Sequence, residues 1–299
     1  MNENIKQMFK SPYLLIVPSI LFYLMFWFFP VILSLIQSLE APTGGLSFIN
    51  YKTMFQGSDF KPAIINTLVF AFVSLIIQFF IALGLALLIN TNFKGSKLFL
   101  FIMLIPMALP QAAIGIMWNL GLQQTGWINS LFQKIGLQSL LETIKVVDGR
   151  IVWKNTSGMK AVFLLILIDT WTVTPSIMII ILAGLQNFNN EYKEAALVFG
   201  ANKLQSLKDI VIPIIKPSII TALLLRLISG LQVWLISVMI FGHTRIPFLL
   251  ERVVYYAKVL TSSHSDKIAV SYSVVTLFIV LIVALTFTKV FKGKDWREE

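Results

Sequence analysis

The sequence predicts an all-α polytopic membrane protein with six transmembrane helices. Of its 299 residues, 57% are hydrophobic and only 13% are charged, whereas soluble domains carry about 25% charged residues. The mean hydropathy is +0.82. Several apolar runs are long enough to cross a bilayer, which requires about 20 residues. In such a protein we attribute the net charge of +10 to the Lys and Arg that set its orientation in the membrane. We therefore expect no binding of nucleic acid.

The spans are located by runs that hold no charged residue or only one. Two of the runs carry a single charge, Asp169 and Arg226 respectively, and the others carry none. The first run, Ser11–Leu39, is too long for the core of a signal peptide and predicts a retained helix. Pro106 and Pro110 predict a kink in the third span. Residues 1–299 are taken as one transmembrane domain, with spans near residues 12–38, 63–90, 98–121, 161–185, 217–241 and 268–290.

The charges near the ends of the spans predict the orientation. Lys6 and Lys10 precede the first span, and Lys94 and Lys97 lie in the tight loop after the second. Because short loops rich in Lys and Arg stay in the cytoplasm, we expect both termini and residues 186–216 to be cytoplasmic.

The most informative stretch is the polar segment of residues 186–216, here called the motif segment. Asn190 is expected to cap a short helix, and the apolar face of this helix repeats at intervals of three and four residues. Gly200 then allows a left-handed turn. A second amphipathic helix is expected to follow, bounded by Pro213 and Pro217. The face of the first helix consists of Tyr192, Ala195, Ala196 and Phe199.

Two interpretations of the motif segment follow from its pattern alone. An amphipathic helix of this kind lies on lipid headgroups in many proteins. Alternatively, its apolar side chains fill a groove of a soluble partner.

The stretch "LAGLQNFNNEYKEAALVFGANKLQSLKDIVIPIIKPSI" resembles the EAA loop of bacterial ABC-importer permeases of the sugar type. The similarity also covers "YLLIVPSILFYLMFWFFPVILS" in the first span, "NTLVFAFVS" in the second and "LFLFIMLIPMALPQAAIGIMWN" in the third. Glu194, Ala195, Ala196 and Gly200 match the motif in order and spacing. Phe199 stands where the family usually has an acidic residue.

The resemblance implies a permease subunit of a binding-protein-dependent importer in the bacterial cytoplasmic membrane. It also implies that the motif segment seats in an ATPase and transmits its closure to the spans. The expected partners are a second permease, two ATPase subunits, an extracytoplasmic solute-binding protein and membrane lipid. No cofactor is expected in this chain, since ATP and Mg²⁺ would be bound by the partner subunits. The residues implied in the coupling are Tyr192, Glu194, Ala195, Ala196, Phe199 and Gly200.

Within the spans, Asp169 and Arg226 are candidates for function because charges in a membrane are costly. They could pair across helices, or one of them could line the solute path. Aromatic, amide and hydroxyl groups near them suit a sugar, whose C–H face stacks on aromatic rings while its hydroxyls form hydrogen bonds. These further candidates are Trp171, Thr174, Gln232 and Trp234.

The charge of the outer segments raises the possibility of an anionic solute. Residues 39–62, 122–160 and 243–267 hold 11 Lys and Arg against six acidic residues. Arg226 could bind a carboxylate, sulfate or phosphate through two parallel hydrogen bonds. The alternative is that the outer charges face an acidic binding protein and that Arg226 pairs with Asp169.

Other classes of function receive less support from the sequence. There is no phosphate-binding GxxxxGK[ST] loop and no cysteine, and His243 and His264 do not have the spacing of metal ligands. We therefore expect neither a metal site nor catalysis in this chain. The main alternative is an ion-coupled secondary transporter, which predicts inverted repeats and buried acids. A membrane enzyme acting on a lipid-linked substrate would need clustered acids or histidines at one membrane face.

Overall fold

A computed structural model of the chain describes residues 12–41, 44–144, 149–243, 245–260 and 264–291, without the side chains of 12–15, 190, 193 and 197. Within these residues the regular structure is helical, apart from one isolated bridge between Glu40 and Leu46. Five of the described helices are long and apolar enough to cross a membrane, or six if a bent pair is counted as one span. The predicted all-α polytopic fold is thus confirmed.

Thirteen helices are numbered here in chain order, with π-helical turns included in the helices they interrupt or extend. They are α1 (Pro12–Tyr23, Leu24–Phe28 and Phe29–Ser38), α2 (Ile49–Gln56), α3 (Phe60–Asn90), α4 (Ser96–Ala108), α5 (Gln111–Gly121), α6 (Trp127–Lys134), α7 (Leu137–Thr143), α8 (Gly158–Gln186), α9 (Asn190–Val198), α10 (Lys203–Ser206, Leu207–Val211 and Ile212–Leu231), α11 (Leu235–Phe241), α12 (Leu249–Val254 and Tyr255–Val259) and α13 (Ser265–Phe291).

The third span differs from the expected kinked helix at 98–121. Helices α4 and α5 meet at an angle of 91°. Leu109, between them, has extended backbone angles of φ −79° and ψ 138°. This follows from Pro110, which has no N–H to donate and pushes the preceding residue out of the helical region. Pro106, in contrast, lies inside α4.

The fifth span differs from the expected 217–241 at both ends. It begins at Lys203, inside the motif segment, and runs as one helix through Pro213 and Pro217. Pro213 is tolerated because it stands in the first turn after the π-helical residues. The two helices expected around the motif are therefore α9 and the lower part of α10.

At its other end α10 stops at Leu231, ten residues earlier than expected. The Ser229 hydroxyl donates to the Arg226 carbonyl oxygen at 2.9 Å, and such bonds compete with the helical pattern. Gly230, which follows, has a low helix propensity. Residues 232–234 are irregular, and α11 then begins.

The chain divides into two compact units. The first contains the described part of 1–57 together with Val253–Leu277. In it, Asn50 Nδ2 donates to the carbonyl oxygens of Ser38 at 2.8 Å and Glu40 at 2.9 Å. These bonds fix the turn after α1.

The second unit contains Ser58–Arg252 and Phe278–Glu299 as far as they are described. Helices α3, α8 and α10 pack closely in it, because small residues stand where the helices meet. A Cβ added to Gly184 would lie 2.7 Å from Ser218 Oγ, and one added to Gly230 would lie 3.2 Å from Ala71 Cα. Close approach through small residues is the usual way that helices pack in membranes.

Candidate functional site

The two charged residues of the spans form a salt bridge. Arg226 Nη2 lies 2.5 Å from Asp169 Oδ2, and the two side chains are 3% and 11% exposed. The bridge joins α10 to α8. Of the alternatives left open by the sequence, pairing across helices is therefore what the structure contains.

Helix α3 supplies the hydrogen bonds that a buried charge pair needs. Ser74 Oγ accepts a hydrogen bond from Arg226 Nη2 at 2.7 Å, and Gln78 Nε2 donates to Asp169 Oδ2 at 2.8 Å. Arg226 Nη1 donates to Ser229 Oγ at 3.3 Å. The pair thereby holds three helices of the second unit together.

A cavity of about 110 Å³ lies beside the salt bridge, and we call it the ion-pair cavity. Four of the six solute-path residues predicted from the sequence line it: Asp169, Arg226, Gln232 and Trp234. The other lining residues are Phe70, Gln111, Ile114, Thr172, Val173, Ser229, Val233, Leu235 and Ile236. The guanidinium carbon of Arg226 lies 5.8 Å from the centre of the Phe70 ring, at a distance suited to a cation–π interaction.

The remaining two predicted residues, Trp171 and Thr174, do not line the ion-pair cavity. They line a more apolar cavity of about 520 Å³ between α3, α4 and α8. The Thr174 hydroxyl donates to the Thr170 carbonyl oxygen of its own helix at 2.6 Å. Helical geometry explains the separation from Asp169, since at about 100° per residue Trp171 points about 160° away from Asp169 and Thr174 about 140° away.

Some residues of the site are missed by the sequence reasoning, and a weak signal is present for two of them, which bind the ion pair without lining the cavity. Ser74 and Gln78 lie one turn apart in the charge-free second span, so they share a face of α3. Polar side chains inside a span usually face the bundle interior. Gln111 had no comparable signal, because its place in the lining results from the break before α5.

The short helices that follow the two breaks pack against each other. Asn119 Nδ2 of α5 donates to the Met239 carbonyl oxygen of α11 at 2.5 Å. Ile114 and Ile236, one from each helix, line the ion-pair cavity. The breaks thus place two paired helices over the same cavity.

The motif segment presents several exposed apolar side chains. Tyr192 is 58% exposed, Phe199 91% and Leu204 72%, whereas Ala196 is buried at 7%. Gly200 has a φ of +86°, as expected for the left-handed turn. Glu194 and Ala195 are exposed on α9.

Two asparagines cap the helices of this segment. Asn189 Oδ1 accepts the N–H of Glu191 at 3.0 Å, so the residue before α9 provides the bond that was expected of Asn190. Asn202 and Gln205 form a reciprocal capping box at the start of α10. The exposed apolar side chains are therefore carried on a defined backbone.

A second charged cluster lies outside the spans, around Arg252. Its guanidinium donates to Glu251 Oε2 at 2.7 Å and to Asp59 Oδ2 at 2.8 Å, and it also binds the His243 carbonyl oxygen. Burial lowers the pKa of Arg252, but the hydrogen bonds and negative charges of Glu251 and Asp59 outweigh it and raise the pKa above its ordinary value. With Arg252 3% exposed and Glu251 0% exposed, this cluster clamps the loop before α12 to the start of α3.

The chain matches a known protein family and is similar to individual transport proteins. The family described as "Binding-protein-dependent transport system inner membrane component" matches residues 78–292. The trehalose/maltose transport system permease protein MalF of Thermococcus litoralis is 31% identical over 234 residues, which is 75% of each chain. The arabinooligosaccharides transport system permease protein AraP of Bacillus subtilis is 28% identical over 304 residues, 95% of this chain and 90% of that one.

The fold also matches a solved structure. A chain of a bacterial ABC transporter involved in the import of the acidic polysaccharide alginate superposes with a TM-score of 0.78. The match covers 98% of this chain and 99% of that chain at 22% identity. At this identity the likeness concerns the fold alone.

Proposed function

Because this chain belongs to the family of binding-protein-dependent transport system inner membrane components, we propose that it carries a saccharide or related polar solute along a path that includes the ion-pair cavity. The chain is a multi-pass inner-membrane permease of an ABC importer, a translocation subunit that is not itself an enzyme. Because the chain belongs to this family, the alternative of an ion-coupled secondary transporter is excluded.

The observation that carries the proposal is the composition of the ion-pair cavity. Gln232 offers both a donor and an acceptor, Trp234 offers an aromatic ring, and the salt bridge lies beside them. Sugars need such a mixture of stacking surface and hydrogen-bonding groups. The relatives named for trehalose/maltose and for arabinooligosaccharides support a saccharide.

The size of the cavity supports a path shared with another subunit. About 110 Å³ holds several water molecules but not an oligosaccharide. A second, non-identical permease would supply the opposite wall, and the solute would pass as the two subunits alternate between outward- and inward-open states. An extracytoplasmic binding protein would deliver it, as in the alginate transporter solved in complex with a pentasaccharide-bound periplasmic protein.

The motif segment is proposed to dock on an ATPase in the cytoplasm. Its exposed Tyr192, Phe199 and Leu204 would fill an apolar groove, and Glu194 would pair with a basic residue of the partner. Two ATPase subunits would bind ATP and Mg²⁺, with no cofactor in this chain. Both termini would then lie in the cytoplasm, in agreement with the basic short loops.

Uptake through the reconstituted complex tests the solute path. The complex, with its binding protein, is assayed with a panel of saccharides. Trp234→Ala and Gln232→Ala should each reduce uptake about five- to thirtyfold, since each removes a contact worth roughly 1–2 kcal/mol. Trp171→Ala is the matched control, because Trp171 lines the other cavity, and it should reduce uptake much less. Equal losses in Trp171→Ala and Trp234→Ala would refute the path.

A further inference from the structure

The ion-pair cavity combines one positive and one negative charge that are bound to each other. We propose that this cavity is electrically neutral and accepts uncharged, polyhydroxylated solutes, and that Asp169 sets this preference by holding Arg226. The inference rests on the proposed function, because it concerns the solute that would pass this site. An uncharged solute is thus proposed in place of the anionic solute that the charges of the outer segments suggest.

The charge balance is the first argument. Among the described residues that line the cavity, Arg226 and Asp169 are the charged ones, and their side-chain atoms are 2.5 Å apart. Opposite charges in direct contact largely offset each other's potential, whereas a lone guanidinium would create a strong positive potential in so confined a space. The excess of positive charge in the outer segments therefore does not continue into this cavity.

The engagement of the guanidinium is the second argument. An incoming carboxylate would bind Arg226 best through two parallel hydrogen bonds. Nη2 already donates to Asp169 and Ser74, and Nη1 donates to Ser229. A carboxylate would have to displace these partners and would also meet the negative charge of Asp169.

The mixture of donors and acceptors is the third argument. A hydroxyl group both donates and accepts hydrogen bonds, whereas a carboxylate accepts only and an ammonium donates only. The cavity offers a carboxylate acceptor at Asp169, an indole donor at Trp234 and both functions at the Gln232 amide. Such a lining matches hydroxyls.

The absence of cysteine from the chain allows the potential inside the cavity to be measured directly. Gln232→Cys places a thiol on the cavity wall, and Gln124→Cys, on the exposed loop before α6, serves as the reference. In membranes that contain the full complex, each thiol is treated with a sulfonate-bearing and a trimethylammonium-bearing methanethiosulfonate reagent. The ratio of the two rates, divided by the ratio at the reference, reports the local charge.

The expected ratio at Gln232→Cys lies within about threefold of unity in the otherwise unchanged chain. Adding Asp169→Asn should shift the ratio toward the anionic reagent by roughly tenfold or more, because it leaves Arg226 unpaired. Adding Arg226→Gln should shift it the other way. The double change Asp169→Asn/Arg226→Gln should restore the ratio near unity. A ratio that already favours the anionic reagent tenfold without any charge change would overturn the proposal, as would a thiol that neither reagent reaches.

Solute-stimulated ATP hydrolysis by the complex separates this inference from the proposed function. Neutral oligosaccharides are expected to stimulate hydrolysis, and oligosaccharides of uronic acids are expected not to. Stimulation by the acidic oligosaccharides alone would overturn neutrality while leaving saccharide import intact. If no saccharide of either kind stimulates hydrolysis or uptake, the proposed function itself fails, whatever the labelling ratios are.

Discussion

Gly115 of α5 lies against Met239 of α11 with no room for a side chain. A Cβ added to Gly115 would lie 2.4 Å from Met239 Cβ, a separation that the two backbones could accommodate only by moving apart. This contact holds together the two short helices that follow the breaks in the third and fifth spans.

The first prediction concerns this contact. Gly115→Ala should lower the free energy of unfolding by about 1–3 kcal/mol, the usual cost of overpacking, and should lower the melting temperature of the purified chain in detergent. Gly84→Ala is the matched control, because Gly84 also lies within a span but has nothing within 4 Å of its added Cβ. It should be neutral or slightly stabilising. Equal melting temperatures for the two variants would show that α5 and α11 do not pack as described.

The second prediction concerns the salt bridge. Arg226→Gln should cost about 3–5 kcal/mol of stability, because it leaves Asp169 buried without its partner. The double variant Asp169→Asn/Arg226→Gln should recover most of this loss, since neutral amides replace both charges. Thermal unfolding in detergent measures both values. A double variant no more stable than the single one would indicate that the pair is not the reason for the loss.

The third prediction concerns Gly200, whose φ is +86°. Gly200→Val should strain the turn by roughly 1–2 kcal/mol or more, because a β-branched residue resists the left-handed region. We expect weaker docking of the ATPase and slower transport, while the binding protein still captures solute. Gly200→Asn is the control, since asparagine tolerates this conformation. Complex recovery and uptake are measured, and normal values for Gly200→Val would contradict the proposed role of the turn.

The fourth prediction concerns orientation. Lys203→Cys, in the motif segment, should react with a membrane-impermeant maleimide only when the cytoplasmic side is accessible. Lys52→Cys and Lys258→Cys, at exposed positions of α2 and α12 that are proposed to face the other side, should react from outside in intact cells. Glu194→Cys provides a second site in the motif segment. Labelling of Lys203→Cys from outside would reverse the proposed topology.

The sequence predicts the existence of the spans well, because a charge-free apolar run of about 20 residues or more usually forms a membrane helix. It does not predict where α10 stops, since the weak signals there, Ser229 and Gly230, have counterparts such as Ser74 and Gly84 inside a span that continues. The 91° angle between α4 and α5 is likewise beyond the sequence, because Pro110 predicts a break but not its direction.

The candidate site shows the same limit. Asp169 and Trp171 are neighbours in sequence but line different cavities, and helical periodicity alone could have separated them. The grouping of Asp169 and Arg226 with Gln232 and Trp234 could not have been deduced, because it requires knowing that α10 ends between Arg226 and Trp234. The salt bridge itself was one of two alternatives, and local sequence does not report which helices face each other.

Helix α10 connects the motif segment to the ion-pair cavity. It runs from Lys203 to Leu231 over 29 residues, so at 1.5 Å per residue it is about 43 Å long. Its first residues belong to the motif segment, and Arg226 lies about 35 Å from Lys203 along the helix axis. A tilt of α10 by about 5° about its Lys203 end would therefore displace Arg226 by about 3 Å. This is more than the 2.5 Å between Arg226 Nη2 and Asp169 Oδ2. If α8 keeps its place, a tilt of this size would break the hydrogen bond between Arg226 and Asp169.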